Sequence, residues 1–175
     1  MSPLIGWLLT AEPVRSHTNT PAMTLTLTTE FIIMSDFSLF MDRSCGSWVS
    51  YRRYLFGAKR TSGEYITEFD TEETGDQEYR ITWSGKTDGV MDLVVEGNTL
   101  KRSRSYFNEE DGETYQVMAW IDPDTVVFRT HYDGTSYREE IRFLDDNTRL
   151  RQTVGRDMES GDITLVGQYF ESRVS

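Results

Sequence analysis

Two glutamates and two arginines stand where a β-protein ordinarily carries apolar side chains. Successive residues of a strand alternate between its two faces. In Arg149-Leu150-Arg151-Gln152-Thr153-Val154-Gly155 both arginines therefore share a face, and Glu171 shares one with Tyr169, Leu165 and Ile163. Glu139 lies with Tyr137, Ile141 and Phe143, while Arg138, Glu140 and Arg142 point the other way. Such charges would be costly in a sealed apolar core. They suit a polar-lined pocket, in which guanidinium forks take carboxylates and carboxylates take N–H groups. A buried ion-pair cluster or an open barrel end satisfies the same parity, so both readings stand at this level.

Other chemistries find little support. The only cysteine is Cys45 and the only histidines are His17 and His131, so neither a disulfide framework nor a histidine- or cysteine-based metal site is encoded. A Ser-His-Asp arrangement would have to use His131, and no GxSxG elbow is present. Net charge is −11 and the pI is near 4.6, which argues against a nucleic-acid surface. With 37% hydrophobic residues and a mean hydropathy of −0.53, no apolar run approaches the length of a membrane span. Cys45, between a helix and a strand, reads as a small packing residue, and Trp48 as core.

The elements that must position these charges are strands. Turn signals recur at Ser62-Gly63, Thr74-Gly75, Asp88-Gly89, Gly97-Asn98, Asp111-Gly112, Asp122-Pro123-Asp124, Asp133-Gly134, Asp145-Asp146-Asn147 and Ser160-Gly161, separating ten alternating segments. Short links throughout favour an antiparallel up-and-down barrel over a Greek-key sandwich. Ahead of the strands, Asp36 to Met41 predicts a short helix with Asp36 as N-cap, Phe37, Phe40 and Met41 as its apolar stripe and Gly46 as its end. It should plug one end of the β-structure. Residues 1–33, with Pro3, Pro13, Pro21 and a threonine-rich run, read as a disordered extension or a product of start-codon choice, ahead of a domain over 34–175. Their hydroxylated residues also fit a plastid presequence; their shortage of arginine does not.

Three blocks together carry a resemblance: Gly46-Ser47-Trp48-Val49-Ser50-Tyr51-Arg52, Tyr79-Arg80-Ile81-Thr82-Trp83-Ser84-Gly85, and the closing Arg151-Gln152-Thr153-Val154-Gly155 with Leu165-Val166-Gly167-Gln168-Tyr169-Phe170-Glu171. In order and spacing the chain resembles the CpcS/CpeS-type phycobiliprotein lyases over about residues 36–173. The resemblance implies an all-β, ten-stranded lipocalin-like barrel that carries an open-chain tetrapyrrole, phycocyanobilin or phycoerythrobilin, without binding it covalently. It implies delivery to an apo-phycobiliprotein, where a thioether forms between an acceptor cysteine and the bilin's 3-ethylidene group. Glu139 and Glu171 match the family's pocket acids and are the expected catalytic residues. Arg149 and Arg151 match its pocket arginines, Trp83 the aromatic along the bilin, and Arg52 the first-strand arginine; no metal is implied. The arginines suit the two propionates, and either glutamate suits the pyrrole N–H groups and a protonated bilin. Where many members read R-x-x-H-H, this chain has Arg52-Arg53-Tyr54-Leu55-Phe56, and a second tryptophan beyond Trp83 is missing. A non-catalytic bilin carrier or a partner subunit of a heteromeric lyase is the second reading, and a lipocalin-like haem or fatty-acid carrier the third. The expected setting is the cytoplasm of a cyanobacterial or phage-infected cell, or an algal plastid stroma, with a homodimer or heterodimer compatible with either.

Overall fold

Two-residue alternation carries nearly all of the chain after the helix into sheet. The computed structural model describes residues 37–57, 61–102 and 114–174. A short helix, α1 (Ser38–Ser44), precedes β1 (Gly46–Phe56), β2 (Thr61–Gly75), β3 (Glu78–Gly85), β4 (Gly89–Glu96) and β5 (Thr99–Arg102). The strands β6 (Thr114–Asp122), β7 (Thr125–Tyr132), β8 (Thr135–Asp145), β9 (Thr148–Asp157) and β10 (Ile163–Arg173) follow. Each pairs antiparallel with its sequence neighbours and β10 closes on β1, which makes the barrel a continuous meander. The expected ten-stranded barrel with a helix at its start is the observed fold. Residues 1–33, Asp36 and the Asp111-Gly112 turn lie outside the described residues.

The turns explain the tight meander. Asp133 and Gly134 have φ of 47° and 66°, the pair of positive values a two-residue hairpin in register with twisted strands requires. Asp122 and Asp145 each accept the backbone N–H two residues on, at 2.9 and 2.8 Å, and so build their turns from their own side chains. The expected turn at Ser62-Gly63 is instead part of β2. At Gly63 the Tyr65 ring folds over the space a side chain would occupy, its hydroxyl oxygen 2.6 Å from where a Cβ would lie. The positive-φ glycine that ends β1 is Gly57, at 48°.

The helix also differs from its expected bounds. It runs to Ser44, with Phe37 at the N-cap and no side-chain cap, because tertiary contacts outweigh local capping. Asp42 accepts from the Tyr79 hydroxyl at 2.8 Å, and Arg43 pairs with Asp124 at 2.9 Å. Its last carbonyls are taken from outside: Trp48 Nε1 donates to Ser44 at 2.9 Å and Arg173 Nη2 to Arg43 at 2.9 Å. Phe37, Phe40 and Met41 enter the core, and Phe40 meets Trp120, Phe128 and Phe143 edge-on at 5.6 to 6.2 Å. The stripe thus closes one end of the barrel. Phe40→Ala should lower unfolding free energy by about 3–5 kcal/mol, the usual cost of emptying a buried aromatic site. Denaturant titration checks this, and an unchanged midpoint would show that the plug does not bear on the core.

Candidate functional site

Above the helix lies a cavity of about 390 Å³, within the range of small-molecule sites. Phe40, Met41 and Ser44 form its floor; Tyr54, Tyr65, Lys86 and Thr87 line its opposite end. Three cross-strand rows build the charged wall between. Ser50, Glu171, Arg149 and Phe143 face one another from β1, β10, β9 and β8. Two residues along each strand, the next row is Arg52, Tyr169, Arg151 and Ile141. The third is Tyr54, Gly167, Thr153 and Glu139.

The lowest row is sealed. Arg149 Nε donates to Glu171 Oε2 at 2.6 Å and Arg149 Nη1 to the Ser44 hydroxyl at 2.9 Å. Ser50 Oγ donates to the other carboxylate oxygen at 2.9 Å. The Arg149 guanidinium lies 4.5 Å from the Trp48 ring centre and 5.4 and 5.7 Å from those of Phe69 and Phe143, an aromatic box for a cation. Trp48 is fully buried, as expected for core, and Arg173 covers it as well, 4.4 Å from its ring. Burial raises the Glu171 pKa, but the charges of Arg149 and Arg151 and the bonds from Arg149 and Ser50 outweigh it and hold the group below the usual carboxylate range. Burial pulls the Arg149 guanidinium down, against the opposing pull of Glu171, and so strong a base stays charged.

The next level opens to the cavity. Arg151 Nη2 donates to Glu139 Oε2 at 2.6 Å, and Thr153 Oγ1 donates to the same oxygen at 3.0 Å. Burial raises the Glu139 pKa, while Arg151 and Arg102 prevail and keep it ionised below its ordinary value. Burial works against the Arg151 charge, and Glu139 more than restores it. Arg52 donates to Ser50 Oγ at 3.1 Å and leans over Tyr169. Trp83, half-buried on β3, lies against Gly89 of β4 directly opposite, where a Cβ would overlap its ring carbons. The glycine read as a turn signal therefore also seats the tryptophan.

All six residues singled out from the sequence face the barrel interior, and Arg52, Trp83, Glu139, Arg149 and Arg151 line the cavity. Glu171 does not. It lies behind Arg149 with no exposed surface. Leu55, where the resemblance leads one to expect a histidine, is 47% exposed and outside the cavity lining. Sequence reasoning missed Tyr54, Tyr65, Lys86, Arg102 and Gln116 in the lining. Parity with Arg52 could have found Tyr54; no comparable signal marks Lys86, which sits in the β3–β4 turn.

The CpeS-like protein family matches residues 67–174. The chain belongs to the CpeS-like family. Its relatives include a Picosynechococcus sp. protein named as the chromophore lyase CpcV, 26% identical over 163 residues that cover 77% of this chain and 80% of the relative. A Nostoc sp. protein named as the phycocyanobilin lyase CpcS 2 is 25% identical over 164 residues, covering 77% and 89%. Among solved structures, the S-type phycobiliprotein lyase CpeS of Guillardia theta superposes with a TM-score of 0.61 at 20% identity, covering 79% of this chain and 92% of that one. This places the CpeS-like barrel fold beyond the sequence resemblance alone.

The sealed row makes a measurable demand on stability. Glu171→Gln leaves Arg149 buried beside a neutral amide and should cost about 3–5 kcal/mol at pH 7. Because the folded Glu171 pKa is depressed, its contribution is complete above about pH 4.3 and vanishes as pH falls through the lower folded value. Denaturant titrations should therefore show the gap between wild type and variant narrowing below about pH 4. A gap of equal size at pH 7 and pH 3 would contradict the assignment.

Proposed function

We propose that this CpeS-like protein is a phycobiliprotein lyase that takes up one bilin and promotes its thioether attachment to a cysteine of an apo-phycobiliprotein. The carrying observation is the charge of the cavity. Five cations (Arg52, Lys86, Arg102, Arg149 and Arg151) and one carboxylate, Glu139, line it, in a chain whose net charge is −11. A flat ligand with two carboxylates and several N–H groups answers that wall and the face of Trp83. Glu139 is ionised, and the Gln116 carbonyl oxygen, buried in the lining, has no hydrogen-bond partner among the described residues. Both can accept from pyrrole or lactam N–H. The lyase names of both relatives support the same reading.

The reaction adds a thiol across the ethylidene double bond: sulfur bonds to the outer carbon, a proton ends on the ring carbon, and no oxidant or reductant is consumed. A carboxylate beside the pyrrole nitrogens stabilises the protonated, cationic bilin, whose ring A is the better electrophile. Glu139 is the residue proposed to touch the ligand in this way. Glu171 acts through Arg149 as a positioning residue, in place of the catalytic role expected from the resemblance. Phycocyanobilin and phycoerythrobilin both fit this chemistry, held without a covalent bond to this chain. A cytoplasmic or plastid-stromal setting follows from where apo-phycobiliproteins are supplied.

Co-expression with a bilin-synthesis pathway and acceptor subunits should give acid-stable colour on the acceptor; colour confined to this chain would instead mean a carrier. Glu139→Gln should keep bilin binding, lose the red-shifted band of the protonated ligand and slow transfer by roughly ten- to a hundredfold, in proportion to one lost charged interaction. A variant with a native spectrum and rate would remove Glu139 from the chemistry. Burial, Asp42 and Glu73 push the Cys45 thiol pKa up, which keeps it protonated and unreactive. Cys45→Ser should transfer bilin as wild type does; a variant that binds but transfers none would reveal a covalent relay.

A further inference from the structure

The cations facing the cavity are unequally engaged. Arg149 is committed to Glu171 and Ser44, its side chain 5% exposed, and Arg151 is paired with Glu139. The polar partners of Arg52 and Lys86 are neutral hydroxyls instead. Arg52 Nε donates to Ser50 Oγ, and Lys86 Nζ donates to the Tyr65 hydroxyl at 3.2 Å while lying 4.3 Å from the centre of that ring. A row of tyrosines separates the two. Tyr65 meets Tyr54 at 5.7 Å and Tyr54 meets Tyr169 at 5.5 Å between ring centres, and Arg52 stands over Tyr169. The rings lie this close because the residues opposite Tyr54 are Gly63 and Gly167, against which Tyr65 and Tyr169 fold.

We propose that Lys86, at the outer end of this tyrosine row, holds a carboxylate of the ligand and, as the outer anchor, fixes which way round it enters. This rests on the bilin reading and deepens it. A ligand carboxylate at the level of Arg149 would have to shed its water and displace Glu171 from a sealed ion pair. At the level of Lys86 it stays partly hydrated and meets a flexible ammonium with no competing carboxylate among its partners. Tyr54 and Tyr65, which line the cavity, then give the tetrapyrrole a surface to lie along, while Arg149 and Arg151 hold the wall and Glu139.

Masking the carboxylates tests this directly. Phycocyanobilin and its dimethyl ester are titrated by absorbance into the full chain, Lys86→Gln and Lys86→Arg. The glutamine variant should bind the free acid about two- to fivefold more weakly than wild type, the size expected of one exposed ion pair. The arginine variant should keep wild-type affinity, and the ester should bind wild type and Lys86→Gln equally. Equal affinity of wild type and Lys86→Gln for the free acid overturns the inference and leaves the bilin reading standing. So does an equal loss for acid and ester, which would mean that Lys86 merely places Tyr65. Failure of wild type to bind either form overturns the bilin reading itself, and this inference with it.

Discussion

A guanidinium held at the bottom of a β-barrel must be neutralised from every side, and the lower half of this molecule is arranged to do that for Arg149. β10 supplies Glu171, β1 supplies Ser50 to satisfy the second carboxylate oxygen, and three aromatic rings cover the guanidinium. A second donor, Arg149 Nη1, requires the helix, whose Ser44 hydroxyl accepts from it and in turn donates to the Phe40 carbonyl at 2.8 Å. Docking of the plug and the hydrogen bonding of the charge are therefore linked through Ser44. An undocked helix would leave the arginine wet and the barrel open; a missing charge would leave the helix hydroxyl without its donor.

Depth then decides what each charged residue can do. The pair at the floor has no exposed carboxylate surface, and of the two only Arg149 reaches the cavity lining. One level up, Arg151 and Glu139 keep 25% and 12% of their side-chain surface, enough to share their bonds with something in the cavity. At the far end the lysine is exposed and paired with a phenol. The same electrostatic vocabulary thus runs from a buried ion pair through a half-open one to a solvent-facing cation, sorted by the dielectric each residue sits in.

Parity made the inward direction of Glu139, Arg149, Arg151 and Glu171 legible, because it is a local property of a strand. Which carboxylate meets which arginine was not legible, since that depends on register between strands: Glu171 stands opposite Arg149, whereas Glu139 stands opposite Thr153 and is reached from the row below. Ser44 left no trace and Ser50 entered only as part of the opening block, because a small hydroxyl becomes decisive only once its neighbours are buried charges. Gly63 was misread because glycine marks a missing side chain as readily as a turn, and only the ring of Tyr65 tells which. The helix bounds shifted for a related reason: Asp42 and Arg43 are fixed by Tyr79 and Asp124, residues far away in sequence.

The helix that closes the floor has a topological consequence. Among the described residues the helix residues Phe40, Met41 and Ser44 close one end of the cavity, so on the lyase reading proposed above a ligand enters and leaves from the opposite end. The part of an elongated molecule that goes in last is then the part that comes out first. Handover becomes a stack discipline, last in and first out. On that reading, the orientation of loading selects which terminal ring a waiting thiol meets.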